Sequence, residues 1–184
     1  VAAIEPISRP SRFPVSPRSQ RFRRRYFPQA NSADWSDWRW QLRHRICDLQ
    51  GLERVFVLSR EERDAVSRSE RPLPLGITPY YASRMCLTDP LDPLRRTHIP
   101  VMDEYLKSPG EAADPLGEDR HTVVPGLVHR YPDRVLFLTS PVCSTYCRYC
   151  TRSRVVGHGS IHPSRNRLER AEAMSISSWT RASR

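Results

Sequence analysis

Apolar residues first recur at helical spacing between residues 34 and 51, where Trp35, Trp38, Leu42, Ile46 and Leu49 form one stripe. Asp34 and Asp37 stand at the positive N-terminal end and Gly51 supplies a stop, so the pattern predicts one helix across this span. Trp35, Trp38 and Trp40 read as packing anchors rather than as a platform for a ligand. Ser59-Arg60-Glu61-Glu62 has the S-x-x-E capping-box form and predicts a short helix over 60–68. Thr78-Pro79 pairs an N-cap with proline at the first helical position, which predicts a third helix through Tyr80, Tyr81 and Met85. Pro90, Pro93 and Pro100 break the next stretch into single turns. Residues 107–134, with Pro-Gly at 109–110 and 125–126, read as a long irregular connection. The pattern then changes at Val135-Leu136-Phe137-Leu138-Thr139, a continuous apolar run that predicts a parallel strand covered on both faces.

Both ends differ in composition from this middle. Residues 1–30 hold prolines at 6, 10, 14, 17 and 28, the run Arg23-Arg24-Arg25 and a single acid, Glu5. That is the composition of a basic, disordered extension, taken to end at residue 32. An Arg-rich, Ser-rich, acid-poor start also matches an organelle transit peptide. The net charge of +10 raises nucleic acid as a partner. Its distribution argues against one: the excess sits in residues 1–30 and 152–184, acids and bases roughly alternate between them, and Lys107 is the only lysine. So strong an arginine bias reflects GC-rich codons better than a binding surface. No apolar run approaches the ~20 residues of a membrane span. No apolar stretch of ~7–15 residues succeeds the basic start, so neither a membrane nor secretion is expected. Seventeen prolines and a mean hydropathy of -0.62 point to a loose fold rich in irregular structure.

The residues that carry chemistry are concentrated at 141–152. Three of the five cysteines, Cys143, Cys147 and Cys150, have C-x3-C-x2-C spacing, so one tight loop can aim three thiolates at a common centre. Five is odd and the triad is too close-set for a disulfide framework, which fits a reducing cytoplasm. A structural zinc site is closed by four protein ligands, and no second C-x2-C pair exists. A 4Fe-4S cluster held by three cysteines keeps one iron free for a non-protein ligand. The cluster is therefore preferred over zinc and over three unrelated buried thiols. A loop directly after a buried strand is also where a parallel barrel carries its chemistry, although one strand cannot build a barrel.

Further blocks lead up to this loop in order. They are Trp35-Ser36-Asp37-Trp38-Arg39-Trp40-Gln41, Ile77-Thr78-Pro79-Tyr80-Tyr81, Ser108-Pro109-Gly110-Glu111, Asp114-Pro115-Leu116 and Val124-Pro125-Gly126-Leu127-Val128-His129-Arg130-Tyr131-Pro132-Asp133-Arg134. With the cysteine spacing and Tyr149 in the aromatic position before the last cysteine, residues 33–157 resemble the lysine 2,3-aminomutase family of radical S-adenosylmethionine (SAM) enzymes. Glutamate 2,3-aminomutase shares the blocks. The resemblance implies that a cluster reduces bound SAM to a 5'-deoxyadenosyl radical. That radical takes hydrogen from an amino acid held on pyridoxal 5'-phosphate (PLP), and the amino group moves from C2 to C3, turning L-lysine into L-β-lysine. It implies that Cys143, Cys147 and Cys150 hold the 4Fe-4S cluster, that Tyr149 lies at SAM, and that Arg152 pairs with the substrate carboxylate. Arg130, Tyr131 and Arg134 would contact the PLP phosphate, with a solvated loop as their alternative. A small amino-acid substrate, a homo-oligomer and a cytoplasmic location are implied with it, and neither nucleic acid nor a membrane is an expected partner.

The chain also departs from the family. Members continue through most of a barrel, glycine-rich SAM contacts and the lysine that forms the PLP Schiff base. These have no counterpart here, and Lys107 lies upstream of the cysteine loop. Residues 164–184 are basic and serine-rich without the apolar pattern of a barrel helix, as a frameshift or premature stop would give. The expected fold class is α/β. An α-helical region (33–106) and an irregular connection (107–134) precede the first strand and cluster loop (135–157) of a radical SAM (β/α) barrel left incomplete, with a divergent tail (158–184). The strand finds no partner in that tail, so a mobile cluster loop is expected, and without the Schiff-base lysine the chain is expected to be inactive by itself. A small cluster- or zinc-binding module without isomerase chemistry is the competing reading.

Overall fold

The structure, a computed structural model, describes residues 15–68 and 73–157, together with residue 169. The expectations for residues 1–14 and for the tail after 157 fall outside these, apart from that one residue. Seven short helices, two 3-10 turns and one small sheet make up the described part, which is mixed α and β.

The first helix, α1 (Pro17–Tyr26), corrects the expected disordered extension. Pro17 opens it, and its inner face buries Phe22 and Ser19 while the arginines stay outside. The Ser19 hydroxyl accepts twice: the Trp35 indole Nε1 donates to it at 3.1 Å and the Ser83 hydroxyl at 3.0 Å. Such a face carries too few apolar residues to register as periodicity.

The single helix expected over 34–51 is three helices, α2 (Ser32–Ser36), α3 (Trp38–Arg43) and α4 (Leu49–Val55). Asp34 closes a capping box with Asn31. Asp37, read as first-turn charge, instead caps α3 by accepting from the Arg39 and Trp40 amides at 3.0 and 3.2 Å. Asp48 caps α4 through the Gly51 amide at 2.7 Å, so Gly51 lies inside a helix rather than ending one. In the break before α4, Ile46 forms an antiparallel bridge with Ile77 through bonds of 2.8 and 3.1 Å. The breaks also split the tryptophan stripe. Trp35 and Trp40 are buried against Phe27, with ring centroids 5.7–6.0 Å apart, whereas Trp38 is 61 % exposed.

Helix α5 (Arg60–Ser67) begins at the capping box read from Ser59 and Glu62. Its Glu62 also grips Arg95, the largest fully buried side chain, which comes from α7 (Pro93–Arg96). Arg95 Nε and Nη2 donate to the two carboxylate oxygens at 2.8 and 2.7 Å, Nη2 also reaches the Val57 carbonyl at 2.8 Å, and Nη1 reaches the Cys86 carbonyl at 3.3 Å. Between these two helices, α6 (Pro79–Ala82) is a single turn and shorter than its pattern suggests.

The sheet replaces the expected lone parallel strand. Within the supposed irregular connection lie β1 (Thr122–Val124) and β2 (Leu127–Tyr131), and β3 (Arg134–Phe137) completes an antiparallel order β1-β2-β3. Gly126, at φ +89°, makes the turn from β1 to β2, a backbone conformation that L side chains avoid. Leu127 and Val128 are buried, while the apolar run of β3 is only half-buried. Among the described residues no helix is long and apolar enough to cross a membrane.

This packing makes two predictions about stability. Removing one partner of a buried ion pair leaves an uncompensated charge and costs about 3–5 kcal/mol. Arg95→Met and Glu62→Gln should each lower the unfolding free energy by that order in urea titrations. A loss below about 1 kcal/mol in both, as for exposed pairs, would contradict the account. The second concerns His98, buried with its ring 4.4 Å from that of Tyr81. Burial, reinforced by Arg148, holds its pKa below the ordinary value, against an opposing bond from the Leu94 carbonyl. The fold disfavours the charged imidazole relative to the unfolded chain, so its contribution is full above the unfolded pKa of about 6.5 and is lost as pH falls below that value. The thermal midpoint should drop more steeply on acidification from about pH 7.5 to about pH 5.5 in the parent than in His98→Phe; equal slopes would exclude the effect.

Candidate metal centre

After β3 the chain passes through Leu138, whose amide donates to the Gly126 carbonyl at 2.7 Å, and enters a loop over residues 141–157. The Gly157 amide closes this loop on the Pro141 carbonyl at 2.8 Å. What fixes it lies in the helical region rather than in the sheet. The Tyr146 amide donates to the Gly76 carbonyl at 2.9 Å, and the Arg148 amide to the Thr97 carbonyl at 2.7 Å. The buried Tyr146 ring lies so close to Gly76 that a Cβ there would meet it at 2.7 Å. Gly157, at φ +86°, is packed as tightly against Pro74. Arg148 Nε donates to both Glu104 carboxylate oxygens at 2.9 Å, Nη2 joins the same carboxylate, and Nη1 reaches the Leu73 and Pro74 carbonyls at 3.2 and 3.3 Å. Arg45 Nη1 donates to the Cys143 carbonyl at 2.8 Å, and its guanidinium carbon stands 5.5 Å from the centre of the Tyr146 ring.

Cys143, Cys147 and Cys150 are free and half-buried on this loop, whereas Cys47 is exposed and Cys86 belongs to another part of the chain. The Cys147 thiol is pushed above its ordinary pKa, first by burial and then by its neighbours Cys150 and Cys143. The Cys150 amide donates to the Cys147 carbonyl at 3.1 Å, and the Arg152 amide to Cys150 Sγ at 3.4 Å. Among the described residues no group of three or more His, Cys, Asp or Glu is arranged to hold a metal ion as it stands. The donor set nevertheless fits a thiolate-bound cluster: three soft ligands come from one anchored loop, whose Cys143 carbonyl is held by Arg45, and the buried Nε of that arginine has no hydrogen-bond acceptor.

The other candidate residues fall into two places. Tyr149 projects from the loop and is 69 % exposed. Arg152, half-buried, is ion-paired with Glu118, and Arg154 pairs with Asp114 at 2.8 Å and Asp119 at 2.5 Å. Asp114 also accepts from the Glu118 and Asp119 amides at 2.9 Å, and these bonds, aided by Arg154, hold its carboxyl below the usual range. Arg130, Tyr131 and Arg134 are exposed on the β2–β3 hairpin, where the two guanidinium carbons lie 5.9 and 5.7 Å from the centre of the Tyr131 ring. Arg134 is also tied to Asp133 at 2.6 Å. No hydrogen bond or ion pair joins this trio to the cysteine loop among the described residues. Sequence reasoning missed Arg45, Gly76, Glu104 and Glu118, whose partners lie far along the chain.

No family model matches the chain. Known proteins do. It is 44 % identical over 150 residues to an L-lysine 2,3-aminomutase of Clostridium subterminale, covering 80 % of this chain and 36 % of that protein. It is 45 % identical over 139 residues to one of Bacillus subtilis, covering 76 % and 30 %. A glutamate 2,3-aminomutase of Clostridioides difficile is 33 % identical over 132 residues, covering 72 % and 31 %. The chain spans about a third of the length of the curated relatives it matches. All of these are aminomutases, an isomerase class. The chain belongs to the lysine 2,3-aminomutase family.

The contact between Gly76 and Tyr146 yields a prediction for the loop. Gly76→Val must displace the tyrosine ring, a form of overpacking that typically costs about 1–3 kcal/mol. Hydrogen exchange at the Tyr146 and Arg148 amides should speed up in this variant, while the α5 amides keep their protection. Unchanged exchange in the loop would refute the anchoring role.

Proposed function

We propose that this chain provides the part of a 2,3-aminomutase that holds the cluster and the substrate carboxylate, with L-lysine as the substrate. The observation that carries the reading is the loop itself: three thiols and no fourth ligand, fixed to a folded helical region by Tyr146, Arg148 and Arg45. Cys143, Cys147 and Cys150 would bind a 4Fe-4S cluster with one iron left for SAM, and such a centre supplies one-electron chemistry that starts a radical. The half-buried Arg152 donates to the Glu118 carboxylate, so its guanidinium is aimed to pair with such a group, and a substrate carboxylate would take the place of Glu118. Arg130, Tyr131 and Arg134 offer two cations and a hydroxyl on one exposed hairpin, suited to a phosphate such as that of PLP. Lysine is preferred over glutamate because identity to the lysine enzymes, at 44 and 45 %, exceeds the 33 % found for the glutamate enzyme.

Anaerobic reconstitution with iron and sulfide tests the ligand assignment. The parent, Cys47→Ala and Cys86→Ala should each take up iron and sulfide in equal amounts, and SAM should perturb the electron paramagnetic resonance (EPR) spectrum of the reduced centre. Cys147→Ala should take up little of either, because two thiolates do not hold the cubane. Full uptake by Cys147→Ala, or zinc bound without sulfide in the parent, would overturn the reading.

A further inference from the structure

We propose that Arg45 is a positioning residue for the cluster, a fixed positive charge set against the three thiolates that raises the reduction potential of the centre they hold. The proposal rests on the cluster reading above and deepens it. Arg45 lies in the break between α3 and α4, next to Ile46, whose bridge to Ile77 ties this backbone to the segment that carries Gly76. From there its side chain reaches the cysteine loop at two points, the Cys143 carbonyl at 2.8 Å and the face of Tyr146 at 5.5 Å. Its Nη1 also lies 3.7 Å from where a Cβ on Gly76 would stand, an ordinary contact that places the guanidinium alongside the seat of the tyrosine ring.

What sets Arg45 apart is its charge balance. Arg148, Arg152 and Arg154 touch the same loop, and each faces a carboxylate: Glu104, Glu118, and the pair Asp114 and Asp119. Arg45 faces none among the described residues, and its Nε is buried without an acceptor. A buried donor left without an acceptor is costly unless a compensating group stands nearby. The loop supplies negative charge once its thiols ionise to bind metal. One-electron reduction of a cluster adds one further negative charge, which a nearby guanidinium stabilises. Net charge and hydrogen bonds around the centre are the terms that set its potential. Arg148 cannot substitute, because Glu104 already neutralises it.

The test compares the parent with Arg45→Lys, Arg45→Gln and Arg45→Met, each reconstituted anaerobically with ferrous iron and sulfide. Iron and sulfide are counted per chain, and dithionite titration monitored by EPR gives the midpoint potential. Arg45→Gln keeps a donor for the Cys143 carbonyl but loses the charge, and Arg45→Lys keeps the charge. Both Gln and Met should shift the reduction equilibrium at least tenfold towards the oxidised form, about 59 mV for a one-electron couple, while Lys stays near the parent. Loss of iron from Gln and Met with retention in Lys also supports the role of charge. Gln at the parent's potential and occupancy overturns the proposal and leaves Arg45 a structural tie, whatever Met does. A parent that takes up no cluster at all overturns the underlying reading and this inference with it.

Discussion

The buried pairing of Arg95 with Glu62 is the constraint on which the helical region depends. No helix among the described residues exceeds ten residues, and isolated helices shorter than about 12–15 residues are marginal in water. They persist only through what they pack against. Glu62 caps its own helix and neutralises Arg95, and Arg95 in turn satisfies the Val57 and Cys86 carbonyls. One guanidinium thus joins α5, α7 and the chain entering each, in a place where water could not do so. Each group in this network is satisfied, which is the condition under which buried polar networks specify one arrangement.

That frame is what the cysteine loop rests on. Its anchors lie at Gly76, Thr97 and Glu104, all within or next to the segment organised by Arg95. The sheet contributes the approach to the loop and presents the Arg130, Tyr131 and Arg134 trio at its far hairpin. Charge is divided in the same way. Around Arg152 and Arg154 the turn over 114–119 places carboxylates opposite cations, while Arg45, tied to the Cys143 carbonyl, faces no carboxylate among the described residues.

Features encoded within a few residues are legible in the sequence, and features encoded across long separations are not. The α5 cap needs only Ser59 and Glu62, and the thiol triad needs only eight consecutive positions. The span 34–51 reads wrongly as one helix because an aspartate in a first turn and an aspartate at an N-cap look alike until the backbone is known. Helix α1 is hidden because a serine shared between Trp35 and Ser83 holds its inner face. The residues around the loop are invisible for a simpler reason. Arg152 meets Glu118 across 34 positions, Arg148 meets Glu104 across 44, and Arg45 meets Cys143 across 98.

Those separations have an entropic consequence for the loop. Closing a flexible segment costs free energy that grows only with the logarithm of its length, about 0.6 kcal/mol per doubling. The first long-range tie between loop and helical region therefore bears nearly the whole closure cost. Once Tyr146 is seated against Gly76, the bonds from Arg148 and Arg45 bridge parts of the chain already held near one another. The ties consequently form and break together, and the loop behaves as one cooperative unit that is either docked or released, with few intermediate arrangements in which a single thiol stands alone.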